Sequence, residues 1–93
     1  MIDTLVKFIK DNEFTFEIGN RNSELVPTVG LGLYYDLNEE AIAKAIEKSG
    51  RIMDDGMIEE LSHVYDYAYY NNYADYWTTA QAKKDWKFEE IKD

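Results

Sequence analysis

Cysteine is absent from this chain, which excludes disulfides and thiolate metal sites and removes any need for an oxidising compartment. Histidine occurs once, as His63, and proline once, as Pro27. No His-x-x-x-His pair and no calcium-loop spacing is present, so neither a metal nor an organic cofactor is expected. No apolar run approaches the ~20 residues that a helical membrane span needs. The start, Met1-Ile2-Asp3, lacks a signal-peptide pattern, and a cytoplasmic protein without a membrane partner is the simplest expectation. Internal repeats and low-complexity linkers are missing as well. The most informative absence is local: from Ile52 to Ala82 there is no Lys or Arg.

That stretch is rich in what remains. It carries six acids and six of the eight tyrosines of the protein. The whole chain, 93 residues long, has a formal net charge of −9. A balance this acidic opposes direct binding to nucleic acid or to an anionic membrane, and it favours a basic partner. The length sets a single domain over 1–93. The hydrophobic fraction of 45% is that of a folded protein, and aromatics at 15% supply the large buried areas that a small core needs.

Met57 to Asn72 reads as a helix. Met57, Leu61, Val64, Tyr65 and Ala68 recur at helical spacing and form one apolar stripe. On a wheel of about 3.6 residues per turn the opposite side carries Asp55, Glu59, Ser62, His63, Asp66, Tyr70 and Tyr73, with Glu60 and Tyr67 on the flank. Asp54 or Asp55 caps the start, where negative charge also suits the helix dipole. Asn71 and Asn72 mark a break. A new segment begins near Tyr73 or at Thr78, where Thr78-x-x-Gln81 matches a capping box. Tyr73, Tyr76 and Trp77 then sit at a corner beside the acidic face, and Asp75, which an unbroken helix would turn to the apolar side, lies past the break.

The other segments are read the same way. Ile2 to Asp11 is a short helix with Ile2, Leu5, Val6 and Ile9 inward, Phe8 at the edge and Asp3 as a candidate cap. Glu13 to Ile18 alternates, with Phe14, Phe16 and Ile18 on one side, as a half-buried strand does. Gly19 to Ser23 is a polar turn. Leu25 to Tyr35 reads as a second extended region, in which Pro27 suits an edge or a junction. Within it Gly30 and Gly32 leave one face bare, so that another element can approach closely. Gly30-x-Gly32 has neither a lysine nor dinucleotide-fold spacing beside it, and a phosphate loop is set aside. Asp36 to Ser49 is a helix, with Asp36 and Glu39 as a capping box, Ile42, Ala45, Ile46 and Ser49 inward, and Gly50 as its stop. The tail from Lys83 to Asp93 restores positive charge and closes as a strand or as a last helical turn. The expected fold class is α+β: a short N-terminal helix, a small antiparallel sheet of two or three strands, and two or three C-terminal helices on one face.

His63 has no convergent partners and reads as an exposed surface histidine. Ser62 and His63 diverge on a helix and cannot act as a nucleophile–base pair. The acid pairs Asp54-Asp55 and Glu59-Glu60 would need burial to shift a pKa. No enzyme is expected. The acidic face itself can be plain solvated surface. Two features argue for binding instead. No base interleaves for a full helix length, and the flanking groups are tyrosines, which serve as interface anchors. The partner-binding set is therefore Asp54, Asp55, Glu59, Glu60 and Asp66, with Tyr67, Tyr70 and Tyr73 as packing anchors and Asp75 beyond the break. The partner is a basic nucleic-acid-binding protein such as a nuclease or its complex, with homodimerisation left open.

On element order and charge, the chain resembles the small acidic inhibitors of phages and mobile elements, the anti-CRISPR and anti-restriction proteins. The opening helix at Ile2 to Lys10, the alternating Phe14 to Ile18 and the acidic C-terminal helices are similar to one type of small anti-CRISPR protein. Tyr69 to Asp75 has the tyrosine-and-acid character of DNA-mimic anti-restriction proteins. The lysines of the tail depart from a uniformly acidic mimic. The resemblance implies a stoichiometric inhibitor of a CRISPR effector nuclease or a restriction enzyme, which acts by occupying a groove built for nucleic acid. An immunity protein or antitoxin against a basic toxin would use the same face. A homo-oligomeric structural subunit burying Tyr76, Trp77 and Trp86 is the alternative of another class.

Overall fold

The computed structural model describes residues 1–91. Among these, all regular structure is helical and no strand forms, which corrects the α+β expectation to an all-α fold. The elements are α1 (Ile2–Asp11), α2 (Arg21–Tyr34), α3 (Glu39–Lys48), α4 (Asp55–Tyr70), a 3₁₀ segment (Tyr73–Thr78) and the short α5 (Ala80–Asp85). Helix α2 packs against α1, α4 and the 3₁₀ segment, while α3 packs against α1 and α4.

The largest correction is α2. No amphipathic stripe marks it, because Leu25 and every residue from Pro27 to Gly32 are buried. A helix enclosed on nearly all sides has no polar face and hence no 3.6-residue signal. Pro27 sits inside this helix and offers no N–H to the Ser23 carbonyl. One turn is steadied instead by Thr28, whose hydroxyl donates to the Glu24 carbonyl at 2.8 Å.

The glycines that suggested a bare strand face serve a helix. A Cβ on Gly32 would lie 2.7 Å from Ile42 Cδ1, and one on Gly30 would lie 3.2 Å from Trp77 Nε1 and 3.3 Å from the Tyr73 carbonyl oxygen. Each glycine costs about 1 kcal/mol of helix propensity relative to alanine. In return the Ile42 side chain of α3 and the 3₁₀ segment come close to the α2 backbone.

The expected strand Glu13 to Ile18 is an irregular loop. Glu13 and Phe16 take left-handed conformations, at φ 58° and 59°, which no strand accommodates. Phe14 and Phe16 do point inward, 5% and 3% exposed, but Ile18 is 88% exposed. Side chains do for this backbone what a neighbouring strand would have done. Arg51 Nε donates to the Phe14 carbonyl. Arg21 Nε donates to the Phe16 carbonyl at 2.8 Å, and the Phe16 N–H donates to Glu24 Oε1 at 2.8 Å. Two inward aromatics one residue apart imitate a strand in sequence without requiring one.

Turn chemistry explains the helix ends. Asp36 does not cap α3. It stands at φ 60° and ends α2, with Leu37 N–H donating to the Gly32 carbonyl and Asp36 N–H to the Leu33 carbonyl, a Schellman arrangement. Asn38 caps α3 instead, its Oδ1 accepting from the Ala41 N–H at 2.8 Å. Gly50, at φ 91°, ends α3 in the same way, as its position after the last apolar residue predicts. The Thr78–Gln81 capping box does not form. Thr78 donates back to the Asp75 carbonyl, and Gln81 turns to Asp85.

The tail is neither strand nor helix over 87–91. It runs back along α1, with Asn12 Oδ1 accepting from the Lys87 N–H at 3.0 Å and Asn12 Nδ2 donating to the Lys87 carbonyl at 2.8 Å. The Ile91 N–H donates to the Thr4 hydroxyl at 3.1 Å. Lys92 and Asp93, which also belong to the expected closing segment, lie outside the described residues.

The contact at Gly32 yields a stability test. Gly32→Ala gains about 1 kcal/mol of helix propensity. It also overpacks a site where Ile42 is fully buried, at a cost of about 1–3 kcal/mol. A net loss of about 1 kcal/mol, or ~4–8 °C in thermal midpoint, is expected. Ile42→Ala should then cost less in the Gly32→Ala protein than in the native one, and additive losses would exclude a clash at this point.

Candidate functional site

Helix α4 buries Met57, Leu61, Val64 and Ala68, the apolar stripe expected of it. This packing against α2 and α3 sends the opposite side of α4 outward. Asp55, Glu59, His63, Asp66, Tyr67 and Tyr70 are all exposed, whereas Glu60 is half-buried on the flank. Asp54 has a structural duty. Its Oδ1 accepts from the Met57 N–H at 2.8 Å and so caps the helix.

The helix ends where Asn72 takes a left-handed conformation at φ 55°. The chain then turns into the 3₁₀ segment, which carries Tyr73 and Asp75. Tyr73 folds back toward α4, with its ring 5.5 Å from that of Tyr67 and nearly perpendicular to it. Burial, and then the neighbouring Tyr67 phenol, push the Tyr73 phenol above its ordinary pKa. Asp75 is exposed but belongs to this second element, so it is not in line with Asp55, Glu59 and Asp66.

The two ion pairs among the described residues, Lys7 with Asp11 at 3.1 Å and Lys7 with Glu89 at 3.9 Å, both lie outside α4. The α4 acids have no cationic partner there. They form a one-sign surface available to cations from outside. Two outward residues escaped the sequence reading. Tyr69 is 60% exposed and Ile58 is 48% exposed. Tyr69 shares the apolar side with Tyr65, and the rings stack with centroids 6.2 Å apart. At the end of α4 the neighbouring elements do not cover that side fully. Instead a groove of about 440 Å³ opens there, with Leu33, Leu37, Tyr65, Ala68 and Tyr69 among its lining. The wheel gives the direction of Tyr69, but only the length of the facing helices says that it is left uncovered.

A second groove, of about 580 Å³, lies between α2 and the segment from the 3₁₀ turn to Trp86. At its rim the Tyr76 hydroxyl donates to Asp85 Oδ2 at 2.5 Å, and Gln81 Nε2 donates to Asp85 Oδ1 at 2.8 Å. These two donors hold the Asp85 carboxyl below the usual carboxylate range. Burial, reinforced by the bond to Asp85, raises Tyr76 to about 12. Tyr35 also rises to about 12, first through burial and then through the nearby Glu90 carboxylate. Among the described residues no group of three or more His, Asp and Glu side chains converges to hold a metal ion. No helix there is long and apolar enough to cross a membrane.

Two expectations follow. Asp54→Ala should lower stability by about 1 kcal/mol through loss of the cap, and Asp54→Ser should restore most of it. Urea unfolding of both variants separates the cap from the charge. The second concerns alkaline pH. Tyr35 and Tyr76 titrate near 12 when folded and near about 10 when unfolded, so the folded state holds their protons more tightly. Their stabilisation is complete below about pH 10 and is lost as the pH rises toward 12. The thermal midpoint should fall over that window, and less steeply when both residues are changed to Phe. Comparison of the chain with protein-family models, with curated proteins and with solved structures finds no match in any of the three.

Proposed function

We propose that this chain is a stoichiometric inhibitor of a host nucleic-acid enzyme, a CRISPR effector nuclease or a restriction enzyme, acting in the cytoplasm of the host cell. The outward side of α4 occupies a basic groove built for nucleic acid. The observation that carries this reading is the acidic face of α4, which has no ion pair among the described residues, is exposed at Asp55, Glu59 and Asp66, and is flanked by exposed Tyr67 and Tyr70.

The chemistry is electrostatic substitution. Carboxylates at i, i+4 on a helix have Cβ atoms about 5–6 Å apart. That spacing is comparable with neighbouring phosphates along a strand, given about 3.4 Å rise per nucleotide and the lateral path of the backbone. Lysines and arginines that would bind phosphates can accept these acids in their place. The net charge of −9 steers the encounter, and the tyrosines contribute contact area with few side-chain torsions to freeze.

Of the resemblance to phage inhibitors, charge and tyrosine content support the reading. The element order does not, since the strand at Phe14 to Ile18 is a loop. The homo-oligomeric alternative loses an anchor, because Trp77 is already buried within one chain, at 5% exposure.

The test has two stages. Affinity capture from bacterial lysate with a rising salt gradient should release a basic nucleic-acid enzyme that DNA displaces. Glu59→Lys with Asp66→Lys should then slow association with that enzyme by about tenfold or more, since both residues lie on the rim-exposed charged face. A folded double variant that associates at the native rate would exclude this face.

A further inference from the structure

The second groove is built unlike the α4 face. Val26 and Pro27 of α2 form one wall, while half-buried Tyr73, Tyr76 and Trp86 supply aromatic surface and the largely buried Trp77 only a small edge. Its volume of about 580 Å³ is that of a small-ligand site. No Lys or Arg lines it, and its one charged residue is Asp85.

Two acceptors stand at this groove. Each oxygen of Asp85 receives one neutral donor, from Tyr76 or from Gln81, and keeps further lone-pair capacity. Neither donor cancels the negative charge. Pro27 leaves the Ser23 carbonyl, the second candidate acceptor, without its usual helical partner. Ser23 and Pro27 both line the groove.

An anion would meet repulsion from Asp85 and from the net charge. A neutral apolar ligand would leave the acceptors unused. An ammonium group is a compact and strongly hydrated point charge. A guanidinium is planar, weakly hydrated, stacks on aromatic rings and offers several N–H donors in a fixed fork.

We propose that this groove receives an arginine side chain of a partner protein, held against the aromatic walls and donating to Asp85 and the Ser23 carbonyl. The proposal deepens the basic-partner reading and rests on it only for the nature of the partner. Tyr73 joins the two surfaces, since it lines the groove and packs on Tyr67 of the outward α4 face. One basic partner can therefore engage the carboxylates of α4 broadly and place a single arginine here.

The only two tryptophans, Trp77 and Trp86, both line the groove, so intrinsic fluorescence reports its occupancy. The experiment titrates the intact protein with blocked Gly-Arg-Gly, Gly-Lys-Gly and Gly-citrulline-Gly peptides at constant ionic strength. A saturable change is expected with the arginine peptide, at least tenfold weaker binding with lysine, and none with neutral citrulline. Asp85→Asn, verified as folded by circular dichroism, should weaken arginine binding at least tenfold. Tyr73→Leu, which keeps an apolar wall but removes a ring, should weaken it as well. Glu59→Lys with Asp66→Lys should leave it unchanged, which separates this site from the α4 face. No saturable response to the arginine peptide, equal responses to arginine and citrulline, or full binding by folded Asp85→Asn would each overturn the assignment. Arginine binding that survives alongside a native association rate in the α4 double variant would remove the α4 reading and keep this one.

Discussion

Phe8 is the side chain on which the separate segments meet. It is 1% exposed, and its ring stands edge-on to those of Phe14 at 5.6 Å, Trp77 at 5.2 Å and Trp86 at 6.2 Å. These three neighbours come from the loop after α1, from the 3₁₀ segment and from the end of α5. Edge-to-face pairs contribute about 0.5–1.5 kcal/mol each beyond their buried area. Much of the irregular backbone serves this cluster. Glu13 and Phe16 adopt left-handed conformations as Phe14 and Phe16 turn in, and Arg21, Glu24 and Arg51 satisfy the backbone polar groups that this leaves without a ladder.

The second constraint is the enclosed helix α2. Gly30 lets the 3₁₀ segment approach the α2 backbone and Gly32 makes room for the Ile42 side chain, while α4 and the 3₁₀ segment both pack on α2. The inner side of α4 is consumed by this packing, and its acids are left on the outside. The aromatic groove has the same origin: Pro27 and Val26 form its floor where α2 passes beneath the 3₁₀ turn and Trp86. The two candidate surfaces are thus consequences of one central helix, joined through Tyr73.

Amphipathic helices were the legible part of the fold. Leu5 and Ile9 in α1, Ile42, Ala45 and Ile46 in α3, and Met57, Leu61, Val64 and Ala68 in α4 repeat at helical spacing and are buried. The break at Asn72 and the stop at Gly50 follow from residues that tolerate positive φ. Helix α2 was not legible, because Thr, Val, Gly and Pro favour other structures locally and burial on all sides erases the period. Here tertiary packing overrides propensity. The Phe14–Phe16 alternation misled for a related reason: two inward rings one residue apart fit a strand or a loop equally well. Of the candidate site, the acids could be read from charge alone. Tyr69 and Ile58 could not, since their exposure depends on how far neighbouring helices reach. The groove was also hidden, because its walls come from α2 and from residues some fifty positions later.

The clasp of Asn12 on Lys87 spans 75 positions of sequence. During synthesis Phe8 and Asn12 emerge well before their distant partners Trp77, Trp86 and Lys87. The amphipathic helices α1, α3 and α4 carry local helix signals, but the aromatic cluster stays open until Trp86 and Lys87 arrive. Closing so long a loop is slow to nucleate and adds only slowly to the entropic cost as the loop lengthens. The clasp and the aromatic cluster therefore close only when residues 86 and 87 meet α1, a contact of long sequence separation.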